Sequence, residues 1–370
     1  MSLSITMADP ERKLRKAFLL LDDACAERAF PGGVLAVGLR NGLIIHPFGR
    51  LSYDKNAPYV NFNTIYDLAS LTKPIVTTTA IMMLLSGRKL RLEDRVVKYI
   101  PEWQQRSDVD GNPRWRNSVT IQMLLLHTAG FSKRVNSYNK AGGYASALKL
   151  VMAEPLINRP GSKIEYSDMG FILLGEIVRR ITKRPLDIFA RTYIFKPLRM
   201  ENSTFNPRKD LKSRIAPTEY DRTFRKQLVH GFVHDEKAWA MGGVAGHAGL
   251  FSTATDISKF AAMMLNGGKY NKKRLIKNSI IRQFTKRHTI NGSSRALGWD
   301  VPTKNSTSGS YLSKESFGHT GFTGTSLWID PKRKIFVILL TNRINPTRNN
   351  TRINRIRPEL HDSIMKSLSF

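Results

Sequence analysis

The chain holds a single cysteine, Cys25, so no internal disulfide can staple it and the fold does not depend on an oxidising compartment. No run of eighteen consecutive apolar residues occurs, so nothing reads as a membrane-spanning helix. There is no Gly-x-x-x-x-Gly-Lys loop, no His-Glu-x-x-His pair and no Gly-x-Ser-x-Gly elbow. These absences speak against a P-loop nucleotidase, a zincin and an α/β-hydrolase. Acidic residues are scarce, 29 against 59 Lys and Arg, which leaves a net charge of +30. Such an excess favours anionic partners: nucleic acid, an envelope polymer or an acidic lipid surface. A general bias toward Lys and Arg explains it more simply, because the basic residues are scattered. The densest runs, 12–16, 272–277 and 341–357, lack the interleaved aromatics that single-strand binders use. The apolar run from Ala17 to Leu21 is too short for a signal peptide and meets Asp22 and Asp23. As written the chain reads as cytoplasmic; a preceding leader would instead direct it to the envelope.

What is present is enough for a large core: 370 residues, 41% of them apolar. The spacing predicts a helix over residues 9–29, with Asp9 as N-cap and Pro10 at its first position, ended by Pro31-Gly32-Gly33. Two short apolar runs, 34–39 and 43–48, flank Asn41-Gly42, a hairpin signal. A further short strand, 65–68, leads into an apolar helix over 74–85. Helical periodicity fills the middle at 120–127, 145–153, 170–181, 186–195 and 254–265. Strands return at 316–319, 325–329 and 334–341, before a last helix over 358–368. The expected fold class is mixed α/β (α+β): an antiparallel sheet built from both ends of the chain, flanked by the terminal helices, with a helical subdomain inserted. The sheet lobe takes residues 9–69 and 290–370 and the helical lobe 70–289, within one catalytic domain. The site belongs in the cleft between them.

Three segments carry the chemistry. Ser70 and Lys73 lie three residues apart, on one face of a helix that starts at Ser70. The helix N-terminus favours negative charge there. A serine hydroxyl needs a base to become a nucleophile, and a lysine near its ordinary pKa of about 10.4 is protonated at neutral pH. Burial or a nearby cation would have to depress it. Ser-x-x-Lys also occurs at Ser52, Ser86, Ser137, Ser146 and Ser363, so the tetrad alone says little. Only Ser70 is followed, in order, by Tyr166-Ser167-Asp168 and His319-Thr320-Gly321. Tyr166 can relay a proton, though a core tyrosine is the plainer reading of that residue alone. Thr320 can hydrogen-bond a substrate carbonyl or carboxylate, and Gly321 permits close backbone approach. The N–H groups of Ser70 and Phe322 are candidates for an oxyanion hole. His230 and His234, beside Asp235 or His247, invite a metal reading, but Gly231 and the β-branched neighbours break any helix there. No metal or cofactor is expected.

Taken together, these three segments resemble the motifs of the serine β-lactamase and penicillin-binding-protein superfamily, nearest its class C and esterase branch. The stretches 124–130 and 318–324 resemble that branch too, and the likeness runs from about residue 31 to 342. It implies a sheet sandwich beside a helical region, attack by Ser70, an acyl-enzyme, and proton transfer shared by Lys73 and Tyr166. Two departures stand out: His319 replaces the usual Lys, and Asp168 the usual Asn. The first weakens a fixed charge for a β-lactam carboxylate. The second would raise the pKa of Lys73. The stretches 166–175, 233–238 and 242–252 resemble a subgroup with exo-acting N-acetylmuramyl-L-alanine amidases. The expectation is therefore a serine hydrolase cleaving amides or esters, first in peptidoglycan fragments, with catalytic Ser70, Lys73, Tyr166, Asp168 and His319 and substrate contacts at Thr320, Gly321 and Phe322. A carboxylesterase comes second, a β-lactamase or D,D-peptidase third. A different class, an idle polyanion-binding protein, is disfavoured by the intact Ser70, Lys73 and Tyr166.

Overall fold

The computed structural model describes residues 12–40, 42–105, 114–133, 142–304 and 306–369. Helix α1 (Arg15–Ala26) buries Ala17, Leu21 and Ala24, one stripe at helical spacing. The N-cap expected at Asp9 lies outside the described residues. Strands β1 (Gly32–Leu39) and β2 (Gly42–Gly49) pair antiparallel. Gly32 and Gly33 were expected to end the helix but instead open β1. A Cβ on Gly32 would lie 2.6 Å from the backbone of Arg50, so glycine there lets the first two strands close on each other.

The chain then forms β3 (Tyr66–Asp67), a tight 3₁₀ turn over Ala69–Leu71, wider π-type turns over Lys73–Thr78, and α2 (Thr79–Ser86). Pro74 has no N–H for a regular ladder, and Thr79 Oγ1 donates back to its carbonyl at 3.0 Å. The helical run Ala69–Ser86 has the length and apolarity of a membrane span, yet most of it is buried in the core. Next come α3 (Ile121–Leu125), α4 (Asp168–Thr182), β4 (Thr204–Phe205), α5 (Glu236–Ala240), β5 (Leu250–Ser252) and α6 (Ala254–Leu265). The chain closes with β6 (Phe317–Thr320), β7 (Ser326–Asp330), β8 (Ile335–Thr341) and α7 (Ile353–Ser367). Helix α7 starts five residues before the expected position, and Pro358 lies inside it. The apolar stripe Ile353, Ile356, Leu360 and Ile364 carries the helix through the proline.

The main sheet has five strands in the order β6-β7-β8-β1-β2, so its centre joins the two ends of the chain, Gly33 opposite Thr341. The two-residue period of β1 divides the core. Leu35 and Val37 face α1 and α7, whereas Val34 and Ala36 face the larger core that holds α2, α4 and α6. Helix α6 packs across β1 and β8, although it falls within the stretch read above as the helical lobe. A second sheet, β3-β5-β4, anchors the segment just before Ser70. The observed fold is thus the mixed antiparallel sheet and helix arrangement expected from the order of elements.

Candidate active site

Ser70 follows a bend that the chain holds from several sides. Ala69 sits at φ +46°, in the left-handed region that costs a non-glycine residue about 1 kcal/mol or more. Its N–H donates to the buried carboxylate of Asp67 at 2.8 Å, whose other oxygen accepts the N–H of His234 at 2.7 Å. Leu68 N–H bonds Leu250 O at 2.9 Å, and Thr323 Oγ1 bonds Asp67 O at 2.7 Å. The position of Ser70 is therefore fixed by β3, β5, His234 and the turn after β6 together.

One turn on, Lys73 is fully buried and its ammonium makes three bonds: Ser70 Oγ at 2.9 Å, Asp168 Oδ1 at 2.9 Å and His247 O at 3.2 Å. Asp168 opens α4, and its second oxygen takes Lys237 Nζ at 2.8 Å. Burial pulls the pKa of Lys73 down, but Asp168 and Tyr166 more than offset it and leave it above the ordinary lysine value. Lys73 is thus an ammonium at rest, donating to Ser70 rather than accepting. The doubt raised by Asp168 outweighs the expected depression. Burial pushes the Asp168 carboxyl up, yet Lys73, His247 and Lys237 pull harder and hold it well below the usual range.

The Tyr166 ring lies 5.0 Å from Lys73 Nζ and stacks on His127 at 4.5 Å. His127, in a left-handed turn at φ +58°, accepts the Ser167 N–H on Nδ1 at 3.1 Å. Burial first, then Arg295 and Lys73, keeps it neutral. Sequence reasoning quoted this histidine within a motif but gave it no role; its part is to hold the plane of Tyr166.

A cavity of about 600 Å³ opens over Ser70, Tyr166, Asp168, Lys237, Thr320, Gly321 and Phe322. Thr320 to Phe322 line it, but His319 does not. That histidine is 2% exposed, with Nδ1 on its own neighbour's carbonyl, Thr320 O, at 2.8 Å and Nε2 without a partner among the described residues. Burial, with Arg295 and Lys73 beyond the counter-pull of Asp300, lowers its pKa to about 4. His319 is neutral at pH 7 and packs behind Tyr166, so it supplies no fixed charge to a ligand.

The positive charge comes from elsewhere. Arg343, Arg348 and Arg357 line the same cavity. Arg348 is paired with Glu219 and Glu236, both at 2.6 Å. Arg343 and Arg357, 7% and 5% exposed, form no ion pair among the described residues. Arg343 Nε donates to Phe322 O at 2.9 Å, and Arg357 Nη2 donates to Gly321 O and Thr325 O at 3.0 and 2.9 Å. Arg357 Nε has no partner among the described residues, and burial plus the neighbouring Arg343 lowers the guanidinium to about 9. Sequence reading counted these arginines only as bulk charge.

The suspected histidine pair is separated by its bonds. His230 Nε2 bonds Lys212 O and Ile215 O, while His234 bonds Glu219 at 2.8 Å. Ligand atoms of Asp168, Asp235 and His247 do lie within 4.8 Å of one another. The positions a cation would take on Asp168 are held by the ammoniums of Lys73 and Lys237.

Gly321 is fixed by space. A Cβ there would stand 2.1 Å from Thr325 Oγ1 and 2.5 Å from Leu68 O, two residues before Ser70. Gly321→Ala is expected to cost about 1–3 kcal/mol in urea unfolding and to slow turnover more than about tenfold by moving Ser70.

The buried histidines give stability an acid limb. His319 and His361 both fall from 6.5 to about 4, largely through burial. A depressed histidine contributes stability that is complete above pH 6.5 and lost as pH falls through about 4, roughly 3 kcal/mol each. Urea unfolding from pH 7 to 5, above most carboxylate titration, should show this slope. His319→Gln and His361→Gln should each flatten it.

The geometry has relatives. The beta-lactamase family model matches residues 16–361, and the chain belongs to that family. A protein of Salmonella agona (strain SL483), described as "Putative D-alanyl-D-alanine carboxypeptidase", is 37% identical over 316 residues, covering 79% of this chain and 72% of the relative. Its counterpart in Salmonella typhimurium matches equally well, 37% over 316 residues with the same 79% and 72% coverage. Among solved structures, EstCE1, "a hydrolase with promiscuous acyltransferase activity", superposes with a TM-score of 0.78 at 20% identity, over 96% of this chain and 99% of that one. A penicillin-binding-protein homologue from Caulobacter crescentus gives 0.75 at 17% identity, over 99% and 100% of the two chains. These two likenesses speak for the fold. The protein is a serine hydrolase of the beta-lactamase fold.

Proposed function

We propose that this enzyme removes a C-terminal residue bearing a free carboxylate from a small peptide, as a D-alanyl-D-alanine carboxypeptidase does. The observation that carries the reading is the pair of buried guanidiniums, Arg343 and Arg357, with no carboxylate of their own, in the cavity that holds Ser70. A buried charge without a counter-ion is costly, and a substrate carboxylate would relieve it at the moment of binding. The names of the Salmonella relatives support the same substrate class.

In this reading Lys73 first loses a proton to solvent. Ser70 Oγ then attacks the acyl carbon while its own proton moves to Lys73. Collapse breaks the C–N bond, and the proton passes through Tyr166 to the departing amine. Backbone N–H groups of Ser70 and Phe322 stabilise the developing oxyanion. Water then cleaves the ester and frees Ser70. Asp168 keeps Lys73 in place; His319 acts through packing on Tyr166.

The muramyl-peptide amidase expected from the loop at 233–252 predicts different products. Mass spectrometry of a muropeptide mixture separates the two. Loss of one terminal alanine supports the carboxypeptidase, whereas release of the whole peptide stem from the muramyl group overturns it in favour of the amidase.

A further inference from the structure

Lys237 stands at the start of α5, lines the cavity with a side chain 21% exposed, and takes one oxygen of the carboxylate whose other oxygen holds Lys73. The two contacts, 2.8 and 2.9 Å, are nearly equal. One carboxylate therefore serves two ammoniums. Seen from Lys73, the positive charge just beyond Asp168 opposes the negative charge that holds its own ammonium.

We infer that Lys237 is a positioning residue that neutralises Asp168 and thereby sets how readily the Ser70–Lys73 pair gives up the proton it must lose before attack. This rests on the reading of Ser70 and Lys73 given above. A lone Asp168 would hold the Lys73 ammonium more firmly still, further opposing proton removal from Ser70. With Lys237 on the second oxygen, the carboxylate keeps its geometric role, a fixed acceptor for Lys73, while part of its field is offset.

Other charges face the pair and belong in the account. Asp235 and Glu236 lie on Lys237's own element, and the carboxylate of Asp235 is bound by His247 at 2.8 Å. His247 also faces Asp168, and its carbonyl accepts from Lys73. Tyr166 faces Lys73 from the residues before α4, with His127, Arg295, Asp300 and His319 grouped around that ring. Burial lowers Lys237 itself, but Asp168 and Asp235 more than restore it above the ordinary lysine value, so it stays charged through the working range. Asp168 and Lys237 thus form a pair of net charge zero whose carboxylate lies nearer Lys73 than its ammonium does, so the pull on Lys73 is reduced and not abolished.

The test is a cycle of variants: Lys237→Met, Asp168→Asn and the double substitution. In the pH profile of kcat/KM on a small carboxylate-bearing amide or ester, Lys237→Met should move the acid limb up by about one unit or more. Asp168→Asn should move it down, and the double variant should return it near the wild-type position. Lys237→Arg, which keeps the charge, should leave it within a few tenths of a unit. The same order should appear without turnover, in the NMR titration of the Lys73 ε-methylene in lysine-labelled protein, assigned by comparison with Lys73→Arg. An unmoved or lowered Lys73 titration in Lys237→Met overturns the inference, as does a double variant that fails to cancel the single shifts. If Ser70-dependent turnover is absent while the NMR shifts appear, it is the hydrolase reading that falls, not the coupling.

Discussion

Ser70→Ala abolishes covalent labelling by a fluorophosphonate and lowers kcat/KM on a chromogenic ester by at least about 10⁴-fold. The size follows from the mechanism, because without Oγ no acyl-enzyme forms and only binding and oxyanion contacts remain. The fold should not suffer. Among the described residues the Ser70 hydroxyl bonds only Lys73, which keeps Asp168 and His247 O. The thermal midpoint should therefore stay close to wild type, which separates chemical loss from unfolding. An unlabelled Ser70 in the wild type, with no turnover in either protein, would return the chain to the class of idle polyanion binders.

The second large effect is selective. Arg357→Met should reduce kcat/KM on a peptide with a free C-terminal carboxylate by about 10²–10³-fold, equivalent to roughly 3–4 kcal/mol for one buried charged contact. A neutral ester of similar size should change less than about tenfold. Among the described residues, Arg357, 5% exposed, bonds two carbonyls through Nη2 and leaves Nε unpaired, so no anion there answers its charge. Acetate or D-alanine should raise the wild-type thermal midpoint, and the variant should lose that response. Equal loss on neutral and anionic substrates would mean that Arg357 only props up the turn at Gly321.

The sequence carried the frame of this site because its devices are local or ordered. Ser70 and Lys73 are one turn apart, and Tyr166 and Thr320 follow in an order that few folds share. The periodicities of two and 3.6 placed the strands and helices within a few residues. The misses have physical causes. Gly32 and Gly33 read as a break, yet strand pairing needed their bareness. Pro358 read as a helix start, yet a buried stripe carried the helix through it. His319 read as a polar site residue, but its burial is a tertiary fact and leaves it uncharged. Lys237, Arg343 and Arg357 were lost among 59 basic residues. Nothing in their local spacing says that two lack anions and the third shares one. Lys237 did sit in the quoted 233–238 stretch, and a basic residue beside Asp235 and Glu236 was the available signal.

The pairing of β1 with β8 has a consequence for the birth of the enzyme. When the ribosome has made the first three hundred residues, Ser70, Lys73, Tyr166, Asp168 and Lys237 already exist, but Gly33 still awaits Thr341. The wall of the cavity, Thr320 to Phe322, and its arginines, Arg343 and Arg357, are synthesised after all of these. Sheet contacts between such distant segments form slowly, and an unfinished chain leaves β1 as an open edge that invites aggregation. Catalytic competence therefore arrives only after Thr341 has emerged to pair with Gly33. A stalled or truncated chain carries the nucleophile without the means to use it.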